Sequence, residues 1–372
     1  MRVGVVAWSA SFLILAASLP AQSLTAQAAA PAPAPPVESP GSEVAAPANG
    51  PFVQSEARAV VAKLGEQLEQ NFVFPDAAKQ YAAMLRANLA AGKYDSFPDA
   101  AAFAKAVTAD LQSIHKDQHL ALHGPNMETG GARRAMAGMG RAGGITKSGW
   151  LADGVAYISF DLFPGDEATL SGLRTFLDTH KDAKTLIIDA RGHHGGGLAE
   201  MGLMFPYLFA RPTVLVDMDT REAIAARNRP EPDEAKYLRT VKGPPGVVRN
   251  EQFVVPAKGA GALQRASVYL LTSHATGSAA EHLALSLKRT HRATLIGETT
   301  HGAGHYGGFV PLGYGYSAFI PVGRTFDPDT NWDWEGVGVA PDIAVPADHA
   351  LDEALRRAGV KVSAETALAS LH

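Results

Sequence analysis

Val268-Tyr269-Leu270-Leu271-Thr272-Ser273-His274-Ala275-Thr276-Gly277-Ser278-Ala279-Ala280-Glu281 is the stretch on which the fold turns. Val268–Leu271 is a short apolar run of strand type, and helical patterning starts at Ala279 and runs to Lys288. Strand, turn and helix make the repeating unit of an α/β sheet. The unit recurs outward along the chain. Val155-Ala156-Tyr157-Ile158-Ser159-Phe160 and Thr185-Leu186-Ile187-Ile188 read as strands, with helical stretches near Ala168–His180 and Ala199–Phe209. Ala293-Thr294-Leu295-Ile296 and Tyr316 to Val322 add two more strands. This alternation predicts an α/β core over 150–358, with a tail at 359–372. The polar, Pro- and Gly-bearing segment 220–263 is expected as an irregular insertion.

Upstream the period changes. Val60, Val61, Leu64 and Leu68, then Tyr81, Leu85 and Leu89, then Phe103, Val107, Leu111 and Ile114 recur at helical spacing, with Asp99 placed to cap the third run. A small helical domain is expected over 51–123, and residues 124–149, rich in Gly, Arg, Met and Ala, read as a flexible loop. Arg2, the apolar run Val3–Leu19 and Ala26-Gln27-Ala28 have the form of a signal peptide over 1–28, which implies export to the periplasm or beyond, with no stable membrane insertion after cleavage. The Pro/Ala-rich run 29–50 reads as an extended linker. The chain has no cysteine, so disulfides and Cys-linked lipid anchors are excluded. A net charge of −4 offers no basic footprint for nucleic acid.

Three passages carry candidate chemistry. Thr276-Gly277-Ser278-Ala279-Ala280-Glu281 has two readings. Ser278 with Glu281 three residues on is a capping box. Alternatively, Ser278 is a nucleophile at a helix start, where the Ala279 amide would hold a developing oxyanion. Asp189-Ala190-Arg191-Gly192-His193-His194-Gly195-Gly196-Gly197 follows a strand, so its glycines either form a plain turn or bring backbone amides close to a ligand. Its spacing is not that of a nucleotide-binding loop. Lys116-Asp117-Gln118-His119-Leu120 closes the third helix and offers His119, whose residue type alone fits a structural role as well as a base.

Taken in order, these blocks resemble the tail-specific, or C-terminal-processing, serine peptidases, in their interphotoreceptor retinoid-binding-protein-like branch. The resemblance runs from about Val53 to Leu355. It includes Asn71-Phe72-Val73-Phe74-Pro75, Asp117-Gln118-His119-Leu120 and Leu186-Ile187-Ile188-Asp189-Ala190-Arg191, then Leu271-Thr272-Ser273 and Ser278-Ala279-Ala280-Glu281. Arg292 to Thr300 and Trp334-Glu335-Gly336-Val337-Gly338-Val339-Ala340-Pro341-Asp342 complete it. It implies a crotonase/ClpP-like αβα core, a peptide or protein substrate and no cofactor. It assigns Ser278 as nucleophile, His119 as general base and Glu335 as the carboxylate that orients the network. The amides of Ala279 and of Gly195 or Gly196 would form the oxyanion hole.

Members with a PDZ domain use a Ser–Lys dyad, but the only lysines after Ser278 are Lys288 and Lys361, neither at the family's offset. Two departures stand out. His193 and His194 occupy the positions of Asn and the first Gly in the family's Arg-x-Asn-Gly-Gly-Gly, and Gln118 stands where tricorn-like members place a serine. No metal is expected, although His193, His194, His301 and His305 bring imidazoles into the Gly-rich loops. His194-Gly195-Gly196-Gly197 resembles a lipase oxyanion motif, but a G-x-S-x-G elbow would need glycines at positions held by Thr276 and Ala280. The rival reading is a binding protein for apolar small molecules or peptides on the same fold, without turnover.

Overall fold

The computed structural model describes residues 51–117, 119–125, 144–227 and 236–371. The expected signal peptide and linker, most of the loop after Pro125, and Gln118 lie outside the described residues. Helices α1 (Gln54–Asn71), α2 (Pro75–Ala90) and α3 (Ala100–Ile114) come first. Asp99 caps α3 by accepting the Ala102 amide at 2.7 Å. The apolar faces of these helices share one core with Leu312, Tyr316, Ala318 and Ile320. The helical part is therefore completed by residues from late in the chain.

One layer is a six-stranded sheet. It contains β2 (Ile145–Ala152), β3 (Val155–Phe160) and β4 (Thr185–Asp189), with α4 (Glu167–Thr179) between the last two. Helix α5 (Ala199–Leu208) follows. Strands β1 (Ala121–His123), β5 (Thr213–Arg221), β6 (Leu238–Val241) and β7 (Val247–Val254) belong to a second sheet. The chain returns to the first sheet with β8 (Ser267–Thr272), α6 (Ala279–Arg289) and β9 (Thr294–Gly297). Strands β10 (His305–Gly313) and β11 (Tyr316–Phe326) join the second sheet, and β12 (Ile343–Ala344), α7 (Ala350–Arg357) and α8 (Ala364–Ala369) close the first unit. The order is β12-β9-β8-β4-β3-β2, parallel except for the β2–β3 pair.

Successive side chains leave a strand on opposite faces, and the burial follows that alternation. Leu186, Ile188, Val268, Leu270 and Leu295 pack with α4, α5 and α6, whereas Ile187, Tyr269, Leu271 and Ile296 pack with α7 and α8. The sheet is thus covered on both faces, as a parallel sheet must be. Ser278 and the Gly195–Gly197 turn both lie beyond the carboxyl ends of adjacent strands, where ligands bind in open α/β sheets.

Two expectations are revised. Strand β2 begins at Ile145, inside the stretch read as loop, and the 220–263 segment, expected to be irregular, carries two strands, Leu238–Val241 and Val247–Val254. Polar strands hid the second case. Arg249 on β7 forks onto Asp219 of β5 at 2.7 and 2.8 Å, and Arg239 of β6 pairs with Glu251 of β7. Charged cross-strand pairs stabilise an antiparallel ladder but erase the apolar alternation that a sequence displays. Among the described residues no helix is long and apolar enough to cross a membrane.

Candidate active site

The Ser278 turn is stapled to the β4 turn. Thr276 Oγ1 donates to the Ala190 carbonyl at 2.7 Å, Ser273 Oγ to the Arg191 carbonyl at 2.6 Å, and the Gly277 amide to the His193 carbonyl at 3.0 Å. Ser278 itself has φ 56° and ψ −118°, and the Glu281 amide, which a capping hydroxyl would accept, goes to the Ser278 carbonyl at 2.8 Å. A serine chosen only to cap a helix sits in the extended region and bonds an N-terminal amide. Here the backbone occupies a region that non-glycine residues avoid, a form of strain that clusters at functional sites. Glu281 does the capping: its carboxylate accepts the Ser278 amide at 2.8 Å. It also accepts Thr300 Oγ1 at 2.5 Å and the Gly302 and Ala303 amides at 2.7 and 2.8 Å, all within the core.

Around Ser278 the amides divide. Gly195 donates to His193 Nδ1 at 3.1 Å and Gly197 to the Phe163 carbonyl at 2.8 Å, whereas the Gly196 and Ala279 amides meet no acceptor among the described residues. Gly196 and Ala279 line one cavity of about 240 Å³ with Ser278, Leu198, Met218 and Trp334. A Cβ on Gly195, at φ 119°, would lie 2.8 Å from Ser278 Cβ, and one on Gly196, at φ 123°, 2.1 Å from the Phe163 carbonyl oxygen. Neither position tolerates a side chain. Gly196→Ala should therefore destabilise the fold by about 1–3 kcal/mol, as read from urea unfolding midpoints.

The histidine end is built by a side-chain turn. Asp117, buried at the end of α3, accepts the His119 and Leu120 amides through Oδ1 at 2.9 and 3.0 Å. Gln112 of α3 clamps the same turn from the Asp117 and Leu120 carbonyls at 2.6 and 2.9 Å. The His119 ring stacks on Phe319 of β11, 5.0 Å between centroids. Its Nδ1 is buried with no hydrogen-bond partner among the described residues and lies 4.0 Å from Glu335 Oε2. Glu335 in turn accepts the Gly304 and His305 amides at 2.7 and 2.9 Å.

His305, which sequence reading placed only among possible metal ligands, joins the two ends. Its Nδ1 bonds Asp117 Oδ2 at 2.7 Å, its Nε2 faces Asp333 at 3.8 Å, and it lines the Ser278 cavity. Burial alone would push this imidazole down. The hydrogen bond to Asp117, with the nearby carboxylates of Asp117, Asp333 and Glu335, outweighs burial and raises it to about 9. His119 moves the other way, lowered chiefly by burial against the pull of Asp117. The two rings are thus shifted in opposite directions, His305 toward its charged form and His119 toward its neutral one. Asp117, His119 and Glu335 offer ligand atoms within 4.8 Å of one another, yet both Asp117 oxygens and Glu335 Oε2 are already engaged. His193, His194, His301 and His305 form no ligand cluster among the described residues.

The structure thus groups His119, Glu335, Asp117 and His305, and separately lines one cavity with Ser278, Ala279 and Gly196. His119 is not in that lining, and no hydrogen bond joins it to Ser278 among the described residues. Glu335 and the Gly302–His305 segment, held by Glu281 on the serine side, connect the two groups. His305 also has a measurable signature. A raised imidazole adds stability that is complete below its unfolded value of about 6.5 and is lost as pH climbs through about 9. Stability should fall by up to about 3 kcal/mol across that window, and His305→Gln should flatten the fall, as read from urea midpoints.

Comparison with known proteins gives the family and the fold. The model of peptidase family S41 matches residues 154–345, and that of the N-terminal domain of this family in eukaryotic IRBP matches residues 52–138. A peptidase from Parabacteroides merdae, described as putative, superposes with a TM-score of 0.53 at 17% identity, covering 84% of this chain and 96% of that one. A lipoprotein from Streptococcus agalactiae gives 0.51 at 15%, covering 82% and 96%. The photosystem II D1 C-terminal processing protease gives 0.50 at 15%, covering 79% and 94%. At such identities the three structures speak for the fold.

Proposed function

The chain belongs to peptidase family S41, and from that premise we propose that it is an exported serine peptidase, with a crotonase/ClpP-like core, that cleaves peptide bonds through an acyl-enzyme on Ser278. The observation that carries the reading is Ser278 itself: a strained residue at a helix start, beside two amides that meet no acceptor among the described residues. In the proposed reaction His119 takes the Ser278 proton as the hydroxyl attacks the scissile carbonyl, and later returns it to the leaving amine. The Ala279 and Gly196 amides hold the oxyanion. Gly195 is the poorer candidate because its N–H is already given to His193. Glu335 supports the imidazolium that forms. His305 is a poor base because its raised proton affinity keeps it charged, whereas the lowered affinity of His119 leaves it free to accept a proton at neutral pH.

The test is turnover of a mixed peptide library by the mature chain, with His119→Ala as control. Cleavage should fall at least about 1,000-fold in the variant, and the wild-type rate should drop on the acid side as His119 is protonated. Tight binding of apolar ligands, with no peptide cleaved, would instead favour the carrier reading.

A further inference from the structure

The oxyanion loop carries one buried group for which the peptidase reading has no use. His193 is fully buried, set edge-on to Phe163 at 4.2 Å between ring centroids. Its backbone is tied at both ends, the amide donating to the Ala190 carbonyl at 3.1 Å and the carbonyl accepting from Gly277 at 3.0 Å. The ring therefore has a fixed place beside the serine turn. Its Nδ1 faces the amide two residues on, Gly195 N, at 3.1 Å. An amide can only donate, so Nδ1 must be unprotonated and the ring's proton must sit on Nε2. Burial supports that neutral form by pushing the ring down to about 3.

A side-chain acceptor at residue i that takes the N–H of residue i+2 is what Asn and Asp do in an Asx-turn. His193 makes the same closure with an imidazole. The consequence lies one peptide further on. The Gly195 carbonyl accepts from Phe163 N at 2.8 Å. In a trans peptide the N–H points opposite to the C=O of the same plane. The Gly196 N–H is thereby directed away from Phe163, on a residue that shares the cavity lining with Ser278 and Ala279. Two glycine peptides at positive φ rotate easily, and His193 and Phe163 hold one plane each.

We infer that His193 is a positioning residue for the oxyanion site: by accepting the Gly195 N–H it locks the Gly195–Gly196 turn with the Gly196 amide aimed at the Ser278 cavity. The inference rests on the serine-peptidase reading for its catalytic consequence, not for its geometry.

Two variants and one spectroscopic measurement test it. His193→Leu keeps bulk and apolar burial but removes the acceptor. It should lower kcat at least about 30-fold, part of the loss expected for a missing oxyanion donor, with KM changed less than about threefold. Affinity for a peptide boronate, which mimics the tetrahedral state, should fall by the same factor as kcat/KM. His193→Asn restores an i to i+2 acceptor and should recover to within about fivefold of wild type. A folded His193→Leu protein with wild-type kcat and boronate affinity would overturn the inference, as would a His193→Asn protein that folds but is no better than the leucine variant. Should the leucine variant not fold, nitrogen-15 histidine spectra of the wild-type chain decide. Nδ1 is expected unprotonated and Nε2 protonated from pH 8 to pH 5, and a proton on Nδ1 would refute the lock. If the wild-type chain cleaves no peptide, the peptidase reading fails, while the tautomer measurement still tests the geometry.

Discussion

Replacing Ser278 with glycine should abolish hydrolysis yet raise stability by about 1 kcal/mol. The backbone at Ser278, φ 56° and ψ −118°, is the shape of the first central position of a type II′ turn, which glycine adopts without cost. A serine held there carries about 1–3 kcal/mol of strain. Glycine relieves it and gives back roughly 0.5–1 kcal/mol through the freedom it adds to the unfolded chain. Ser278→Ala, which keeps the Cβ, should leave stability nearly unchanged, because the Glu281 amide bonds the Ser278 carbonyl, which alanine retains. Both variants should lose at least about 10,000-fold in kcat. Thermal melts of the three proteins read the stability order, and a melting temperature lowered equally in both variants would mean that Ser278 serves as a cap.

The second large effect belongs to Glu281. Its carboxylate is fully buried and accepts from four groups: the Ser278 amide, the Thr300 hydroxyl, and the Gly302 and Ala303 amides. Removing it strands several buried donors, each costing about 1–3 kcal/mol. Relaxation and entering water reduce that sum, and Glu281→Ala should cost on the order of 4 kcal/mol. Glu281→Gln should recover little, because it turns an NH2 group toward groups that themselves donate. The same bonds fix the Gly302–His305 segment, on which Glu335 closes from the other side. Activity should therefore fall in the residual folded protein as well. Urea unfolding, with kcat corrected for the folded fraction, separates the two losses.

Sequence alone carries the first sheet further than the second. Val155–Phe160, Thr185–Asp189 and Ser267–Thr272 are buried on both faces, so their apolar runs are unbroken and easily read. Strand β10, His305-Tyr306-Gly307-Gly308-Phe309-Val310-Pro311-Leu312-Gly313, has a loop's composition. Its extended form is imposed by pairing with β11, where a Cβ on Gly307 would meet the Ile320 carbonyl oxygen at 2.1 Å. Composition cannot announce a strand that exists because its neighbour leaves no room for side chains.

The site divides in the same way. Residue type and order nominate Ser278, His119 and Glu335, but the capping and nucleophile readings of Ser278 share one local pattern, and only the backbone angle separates them. The Asp117–His305 pair joins positions 188 residues apart, so no local spacing could show it. Asp117 stands two residues from His119, and Glu281 is legible as a capping partner, but its other three bonds are not. His193 departs from the family's asparagine, and that its Nδ1 accepts the Gly195 amide, as an Asx-turn oxygen would, appears only when the ring and that amide are seen together.

Mass spectrometry of the fluorophosphonate-treated chain, in wild type and in His119→Ala, tests the roles of Ser278 and His119. A single adduct on Ser278 is expected in wild type, formed at least about 100-fold more slowly when the His119 base is absent. An adduct on another residue, or labelling of Ser278 at the same rate in both proteins, would contradict those roles.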